Sequence, residues 1–313
     1  MSEQKEIIIT GVNGFVGEHL ARYLSESHIG VIGVGREDSP AKNASPLLNR
    51  YIKVDFLDSE QVASLDLTNV TAIIHLAGLA SVAESFDKPE LYKTGNAQMI
   101  ENLLKTASDQ QFKGRVVAIS TGALYAPTQP MPLNEDSYTT EGSPYATGKL
   151  RAEDVIKKYI ELGIDAVIVR PFNHIGPGQG PGFLVGDLYD QLQTAHNSNS
   201  SEILVGNLST KRDYTDVRDI VKAYALLACA PSLQHDTYNV SSGKSYSGLE
   251  ILEYLKDEMG LKSIQTSIDQ SRVRPTDAQD IIGDASRLKQ ELGWTIESDP
   301  VIAIRDFVAR RKS

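Results

Sequence analysis

Tyr145 and Lys149 stand four residues apart in Ser143-Pro144-Tyr145-Ala146-Thr147-Gly148-Lys149, a spacing that places phenol and ammonium on one face of a helix. Pro144 suits a first helical turn, because its missing N–H would be unpaired there, and Ser143 can cap the neighbouring amides. The predicted helix runs through LRAEDVIKKYIELG and stops at Gly163. A free tyrosine titrates near pH ~10, and a neighbouring ammonium favours the phenolate, so the pair predicts a phenol able to exchange its proton closer to neutrality. The same spacing also recurs on ordinary solvated helix faces. Its meaning therefore depends on the rest of the chain.

The beginning of the chain supplies a partner for such chemistry. Residues 7 to 10, IIIT, are an apolar run fitting a strand buried on both faces, followed by Gly11-Val12-Asn13-Gly14-Phe15-Val16-Gly17 and a helical pattern. Three glycines between a strand and a helix let the backbone turn tightly and approach a pyrophosphate at the helix N-terminus. The next strand, Ile29 to Gly35, ends where a dinucleotide fold places an acidic residue on the adenosine ribose; here Gly35 and Arg36 stand there. An arginine can hold a 2′-phosphate that a carboxylate would repel, so NADP(H) is favoured. Glu37 and Asp38 follow at once, which keeps NAD(H) open.

Asp55, at the exit of a strand predicted over 51–58, could accept from the adenine amino group or cap the following helix, with Phe56 beside it. The strand predicted over 71–78 ends in Leu76-Ala77-Gly78, small enough to let a cofactor lie against the backbone, while His75 reads as a packed strand-end residue. A long helix over 90–111 carries Asn96, and a buried strand over 114–121 ends at Thr121. A hydroxyl there can bind the same substrate oxygen as Tyr145 and help polarise a carbonyl.

The 313 residues allow a substantial core, and the formal charge of −10 argues against general nucleic-acid binding. There is no basic run for a membrane surface and no apolar stretch long enough to cross a bilayer, and MSEQKEIIIT lacks the hydrophobic region of a signal peptide. A cytoplasmic protein is expected. Cys229 is the single cysteine, so no internal disulfide can form, and its setting in AYALLACA predicts burial on a helix. No His, Cys or carboxylate spacing suggests a metal site.

Alternating strands and helices argue for a parallel sheet covered on both faces. The combination of TGxxGFxG, HLAG, the Ser120-Thr121 strand end with Tyr125, and PYxxxK resembles the extended short-chain dehydrogenase/reductase family over nearly the whole chain. The resemblance implies an α/β fold: a Rossmann-type doubly wound parallel sheet from 1–170, rejoined by about 212–241, and a smaller α/β substrate domain from 171–211 and 242–313. It selects Thr121 over Ser120 as the hydroxyl acting with Tyr145 and Lys149. It also implies cofactor contacts from Gly11, Asn13, Gly14, Phe15, Val16, Gly17 and Arg36, and from Asp55, Phe56, Leu76, Ala77, Gly78, Asn96, Tyr145, Lys149 and Pro171.

Dehydrating members carry carboxylates directly after that hydroxyl, because loss of water needs an acid and a base. Here Gly122 and Ala123 stand there. The segment RPFNHIGPGQ resembles that of reductases acting on GDP-linked 4-keto-6-deoxymannose. By that resemblance Asn173 meets the sugar or its diphosphate, His174 is a substrate contact or a packed loop residue, and Phe183, Val205 and Asn207 line the base. Arg212 and Arg274 meet the diphosphate, where an arginine fork suits phosphate charge, and Asp277 touches a ribose or orients Arg274. Ala80 and Gly122 complete the substrate contacts. Asp216 and Asp219 are expected to cap the next helix and anchor its loop, and Trp294 to pack the GDASRLKQELGW helix.

The resulting expectation is NADPH-dependent reduction of a C4 ketone on a nucleotide-linked 4-keto-6-deoxyhexose. The alternatives are a nucleotide-sugar 4-epimerase with tightly held NAD, and a non-catalytic dinucleotide-binding regulator. The resemblance further implies a homodimer through the Tyr145 helix and the helix near 95–108.

Overall fold

The computed structural model of the protein describes residues 6–272 and 278–312. The opening apolar run forms β1 (Glu6–Thr10), with Ile7 and Ile9 in one core and Ile8 in another. Burial on both faces is why this strand reads as continuous rather than alternating hydrophobicity. The chain continues through α1 (Phe15–Glu26), β2 (Gly30–Gly35), β3 (Arg50–Lys53), α2 (Ser59–Ala63), β4 (Val70–His75) and α3 (Val82–Asp87). Next come α4 (Pro89–Asp109), β5 (Arg115–Ile119), α5 (Pro144–Glu161), β6 (Ala166–Pro171) and β7 (Asn173–Ile175). The later half holds α6 (Leu184–Asn197), β8 (Glu202–Val205), β9 (Lys211–Asp216), α7 (Val217–Cys229), β10 (Thr237–Val240), β11 (Ser245–Ser247) and α8 (Gly248–Met259). It closes with β12 (Gln265–Ile268), β13 (Asp280–Ile281), α9 (Ser286–Leu292) and α10 (Pro300–Lys312).

Seven strands make one sheet in the order β10-β6-β5-β4-β1-β2-β3, every neighbour pair parallel. The winding moves outward from β1 to β3 and then returns to β4, so the topological switch lies between β1 and β4. A crevice outside the carboxyl ends of the strands opens at such a point. On one face α1 and α7 pack against the sheet, burying Leu20, Leu24, Ile220 and Tyr224. On the other, α4 and α5 bury Leu103, Leu104, Ile156 and Tyr159. The fold class expected from the sequence is the one observed.

A separate core joins α6, α8 and α10 through Leu192, Leu252, Leu255, Ile304 and Phe307. Strands β7, β11 and β13 pair with β9, away from the large sheet. The strand at 211–216 thus lies with the smaller body, and the return to the large sheet begins at α7.

Asp216 caps α7 by accepting from the Arg218 amide, while Asp219 accepts from the Glu297 and Ser298 amides. Trp294 is 2% exposed and donates Nε1–H to the Asp219 carbonyl, tying the end of α9 to α7. Two local expectations are corrected. Cys229 is exposed, because it is the last residue of α7 and its predecessors Leu227 and Ala228 turn inward instead. The third strand ends at Lys53, and it is Asp58, not Asp55, that caps α2.

Candidate active site

Ser143 accepts from the Ala146 amide and Pro144 occupies the first turn of α5, the start that the sequence predicts. The helix ends before Gly163, whose φ of +91° belongs to the left-handed region that glycine tolerates. This start carries Tyr145 inward, 7% exposed, to lie beside Thr121, which leaves the end of β5. Lys149, one turn later, donates Nζ–H to the Ile119 carbonyl at 2.8 Å. The alternative hydroxyl, Ser120, is buried and donates to Glu153 at 2.6 Å, so it is committed to the interior. Thr121 is the hydroxyl left for chemistry.

The electrostatics differ from the expectation of a phenol lowered by an ammonium. Burial raises the Tyr145 pKa, and the nearby Thr121 hydroxyl opposes it only in part. Lys149 is lowered to about 8, chiefly by burial, with the nearby Glu153 charge acting in the other direction. The reason is geometric: the ammonium is turned onto a β5 carbonyl, and both groups sit in surroundings that disfavour their charged forms.

The glycine turn lies beside this group. Gly11 has φ +67°, and a Cβ there would come within 2.9 Å of the Ala77 nitrogen; at Gly17 it would come within 2.5 Å of the Gly11 carbonyl oxygen. Helix α1 has no side-chain cap, so its first amides face outward over the turn. Gly78 is exposed; a Cβ added there would stand 2.9 Å from Asn96 Oδ1 and 3.6 Å from Lys149 Nζ. The turn, Ala77-Gly78 and Lys149 therefore border one space at the ends of β1, β4 and β5. That cradle fits a pyrophosphate and an adjoining ribose.

Several expected contacts prove to have structural duties. Asn13 donates Nδ2–H to Glu37 Oε2 at 2.9 Å and accepts from the Ala41 amide at 2.7 Å, clasping the turn to the loop after β2. Asn96 spends its amide on both backbone groups of Leu79. Phe56 is buried edge-on against His75, and Val16 and Leu76 pack against the core beneath the cradle. Asp55 is exposed and accepts from the Leu57 amide. His75 is packed as expected, bonded to Thr10 and pushed down to about 3 by burial. Arg36 is 80% exposed, whereas Glu37 turns back over Gly35, its Oε2 within 3.0 Å of a Cβ built there.

Pro171 ends β6, and Phe172 lies so close to Gly122 that a Cβ on that glycine would come within 2.9 Å of the ring. Asn173 is exposed, as are Gly14 and Ala80. His174 stacks on Phe15 with ring centroids 6.2 Å apart and donates to the Phe172 carbonyl, which joins the glycine turn to the loop after β6. Phe183 is 45% exposed at the start of α6. Val205 instead turns into the small core, and Asn207 accepts from the Ser209 amide and hydroxyl. Arg212 donates to the Lys211 and Ala278 carbonyls. Arg274 and Asp277 lie outside the described residues.

A family model described as GDP-mannose 4,6 dehydratase matches residues 8–305 of the chain. The chain belongs to this family. It is therefore an extended short-chain dehydrogenase/reductase, as the sequence motifs indicate. The GDP-6-deoxy-D-mannose reductase of Pseudomonas aeruginosa is 31% identical over 303 residues, covering 94% of this chain and 92% of that one. The UDP-glucose 4-epimerase of Mycolicibacterium smegmatis is 27% identical, covering 97% of this chain and 96% of the relative. Among solved structures, RMD from Pseudomonas aeruginosa complexed with NADPH superposes with a TM-score of 0.84 at 27% identity, covering 99% of this chain and 100% of that one.

Sequence reading missed one group here. The Ser120–Glu153–Arg170 cluster behind the site was signalled only by Glu153 standing four residues beyond Lys149. Glu37 and Asp38 were both legible as loop carboxylates near the ribose, but the sequence does not tell which of the two adjacent groups turns back over Gly35; in the structure it is Glu37.

Proposed function

We propose that the protein reduces the C4 ketone of a nucleotide-linked 4-keto-6-deoxyhexose, most specifically GDP-4-keto-6-deoxy-D-mannose, with NADPH. The observation that carries this reading is the placement of Tyr145 beside Thr121 at the end of β5, next to the glycine cradle bordered by Lys149. When bound, the reduced dinucleotide supplies a hydride to the carbonyl carbon. Tyr145 gives its proton to the carbonyl oxygen and Thr121 holds that oxygen, so a ketone, a hydride and a proton become an alcohol. Gly11, Gly14 and Gly17 with the start of α1 would hold the pyrophosphate, and Lys149 and Gly78 the nicotinamide ribose.

Dehydration fits poorly. Ala123 has no proton to exchange, and Phe172 occupies the space that a longer side chain at Gly122 would need. The Pseudomonas aeruginosa reductase and its NADPH-bound neighbour support the reductive reading. The deciding assay mixes the protein with NADPH and GDP-4-keto-6-deoxymannose and follows the loss of reduced-nicotinamide absorbance, with stoichiometric oxidation expected. A mass by light scattering tests the accompanying proposal that two copies pair through α4 and α5.

Glu37 favours a second reading, a 4-epimerase retaining NAD, because its exposed carboxylate turns back over Gly35, at the strand end where a dinucleotide fold meets the adenosine ribose. Copurifying NAD and interconversion of UDP-hexoses, without net oxidation of NADPH, would establish it. Glu37→Gln removes the charge that opposes a 2′-phosphate and is expected to raise the affinity ratio of NADPH to NADH about tenfold or more. Fluorescence titration with both dinucleotides checks this, and an unchanged ratio would place the discrimination elsewhere.

The pH dependence follows from the two catalytic groups. Tyr145 stays protonated across the neutral range because burial raises it, whereas Lys149 loses its ammonium as pH rises through about 8. A reaction needing both protons is expected to show kcat/KM flat below that midpoint and falling about tenfold per unit above it. A profile still flat at pH ~9.5 would show that Lys149 need not be charged.

A further inference from the structure

Glu153 and Arg170 form a buried ion pair directly behind the reacting groups. Glu153 is 1% exposed and Arg170 5%, with Nε–H donating at 2.9 Å and Nη2–H at 2.6 Å to the two carboxylate oxygens. The same carboxylate accepts from Ser120, the residue before Thr121. Arg170 also donates to the Tyr125 hydroxyl at 3.0 Å, and Tyr125 donates to Asn239 on β10. One carboxylate thus joins α5, β5 and β6. A buried pair of this kind adds little to stability compared with apolar packing, so its presence calls for another explanation.

Glu153 lies one turn beyond Lys149, the same interval that separates Lys149 from Tyr145. The groups around the Lys149 ammonium are Tyr145 and Glu153 on its own helix, His75 on β4, the Ile119 carbonyl on β5 and, beside Gly78, the Asn96 amide from α4. Arg170 approaches from β6, behind Glu153. His75 is neutral, and Tyr145 is neutral before reaction. Glu153 is the one anion in this set. Without it, the half-buried ammonium would keep the Ile119 carbonyl as its acceptor but would have no anion beside it.

We propose that Glu153 is a positioning residue, whose carboxylate fixes the strand end presenting Thr121 through Ser120 and keeps the Lys149 ammonium charged. This rests on the reading of Thr121, Tyr145 and Lys149 as the reacting groups, and the test separates the two. Competitive acetylation read by mass spectrometry gives the titration midpoint of Lys149 without any turnover. It is compared in the wild type, in Glu153→Gln, and in Glu153→Gln/Arg170→Met, which leaves no unpaired buried charge and is expected to fold.

The midpoint is expected to fall by about one pH unit or more in both variants, and the alkaline limb of kcat/KM to move with it. Glu153→Asp, which retains the charge, should restore most of the midpoint. A moved midpoint in a protein inactive on every nucleotide sugar would sink the reductase reading and leave the role of Glu153 standing. An unmoved midpoint in folded variants overturns the proposal, as does failure of both variants to fold, because either result makes the pair purely structural.

Discussion

Tyr145→Phe is expected to lower kcat by two to four orders of magnitude, roughly the range that a positioned general acid supplies, while leaving dinucleotide affinity within a few-fold of the wild type. The substitution removes one oxygen from a side chain 7% exposed and keeps its ring in place on α5. Thr121 loses the phenol beside it but still accepts from the Ala123 amide at 3.1 Å, so the strand end keeps its turn. The loss should therefore fall on the chemical step. Thr121→Val should cost less than Tyr145→Phe, since the hydroxyl holds the oxygen without supplying the proton. Single-turnover oxidation of NADPH checks both, and a Tyr145→Phe protein retaining half its rate would remove the phenol from the mechanism.

The relation between Tyr145 and Lys149 shows what sequence spacing can and cannot give. The spacing correctly places both residues on the inward face of α5, because the 3.6-residue period and the Ser143-Pro144 start leave little freedom. It could not give the direction of the pKa shifts. Those depend on burial, opposed in part by Thr121 and Glu153, and the burial arises only when β5 and α5 pack together. The glycine turn was legible for a similar reason: the positive φ of Gly11 and the contact of Gly17 with the Gly11 carbonyl are local backbone demands, although the approach of Gly11 to Ala77 is not.

Less was legible in the later half, where the expected contacts came from resemblance. Val205 alternates into the small core along β8, and Asn207 closes its own turn onto Ser209. Strand boundaries were overrun wherever polar exit residues continued an apolar run. Tyr51 to Asp58 reads as one segment, but pairing stops at Lys53 and the remainder turns on the Asp55 and Asp58 carboxylates. Pairing requires a neighbour, and the sequence does not show where the neighbour ends.

Gly148→Ala should be the most damaging single-methyl change in the chain. In an exposed helix interior this substitution gains about 1 kcal/mol from propensity alone. Here the added Cβ would overlap the Tyr92 carbonyl oxygen of α4 and lie 3.4 Å from Lys93 Cα, a backbone contact in which no side chain can swing aside. Overpacking of this kind costs about 1–3 kcal/mol or more, so the sign of the substitution reverses. The relief available is for α5 to move away from α4, carrying Tyr145 from Thr121 and Lys149 from Ile119. A misplacement of about 1 Å is enough to cost about a hundredfold in rate. Gly95→Ala on α4 is the matched control, because its Cβ would meet only the side-chain tips of Leu79 and Leu91, at 3.0 and 3.6 Å. The expected result is a lower urea midpoint and at least about a hundredfold lower kcat/KM for Gly148→Ala, with Gly95→Ala close to wild type in both. Equal behaviour of the two would mean that α4 and α5 do not meet backbone to backbone at this glycine.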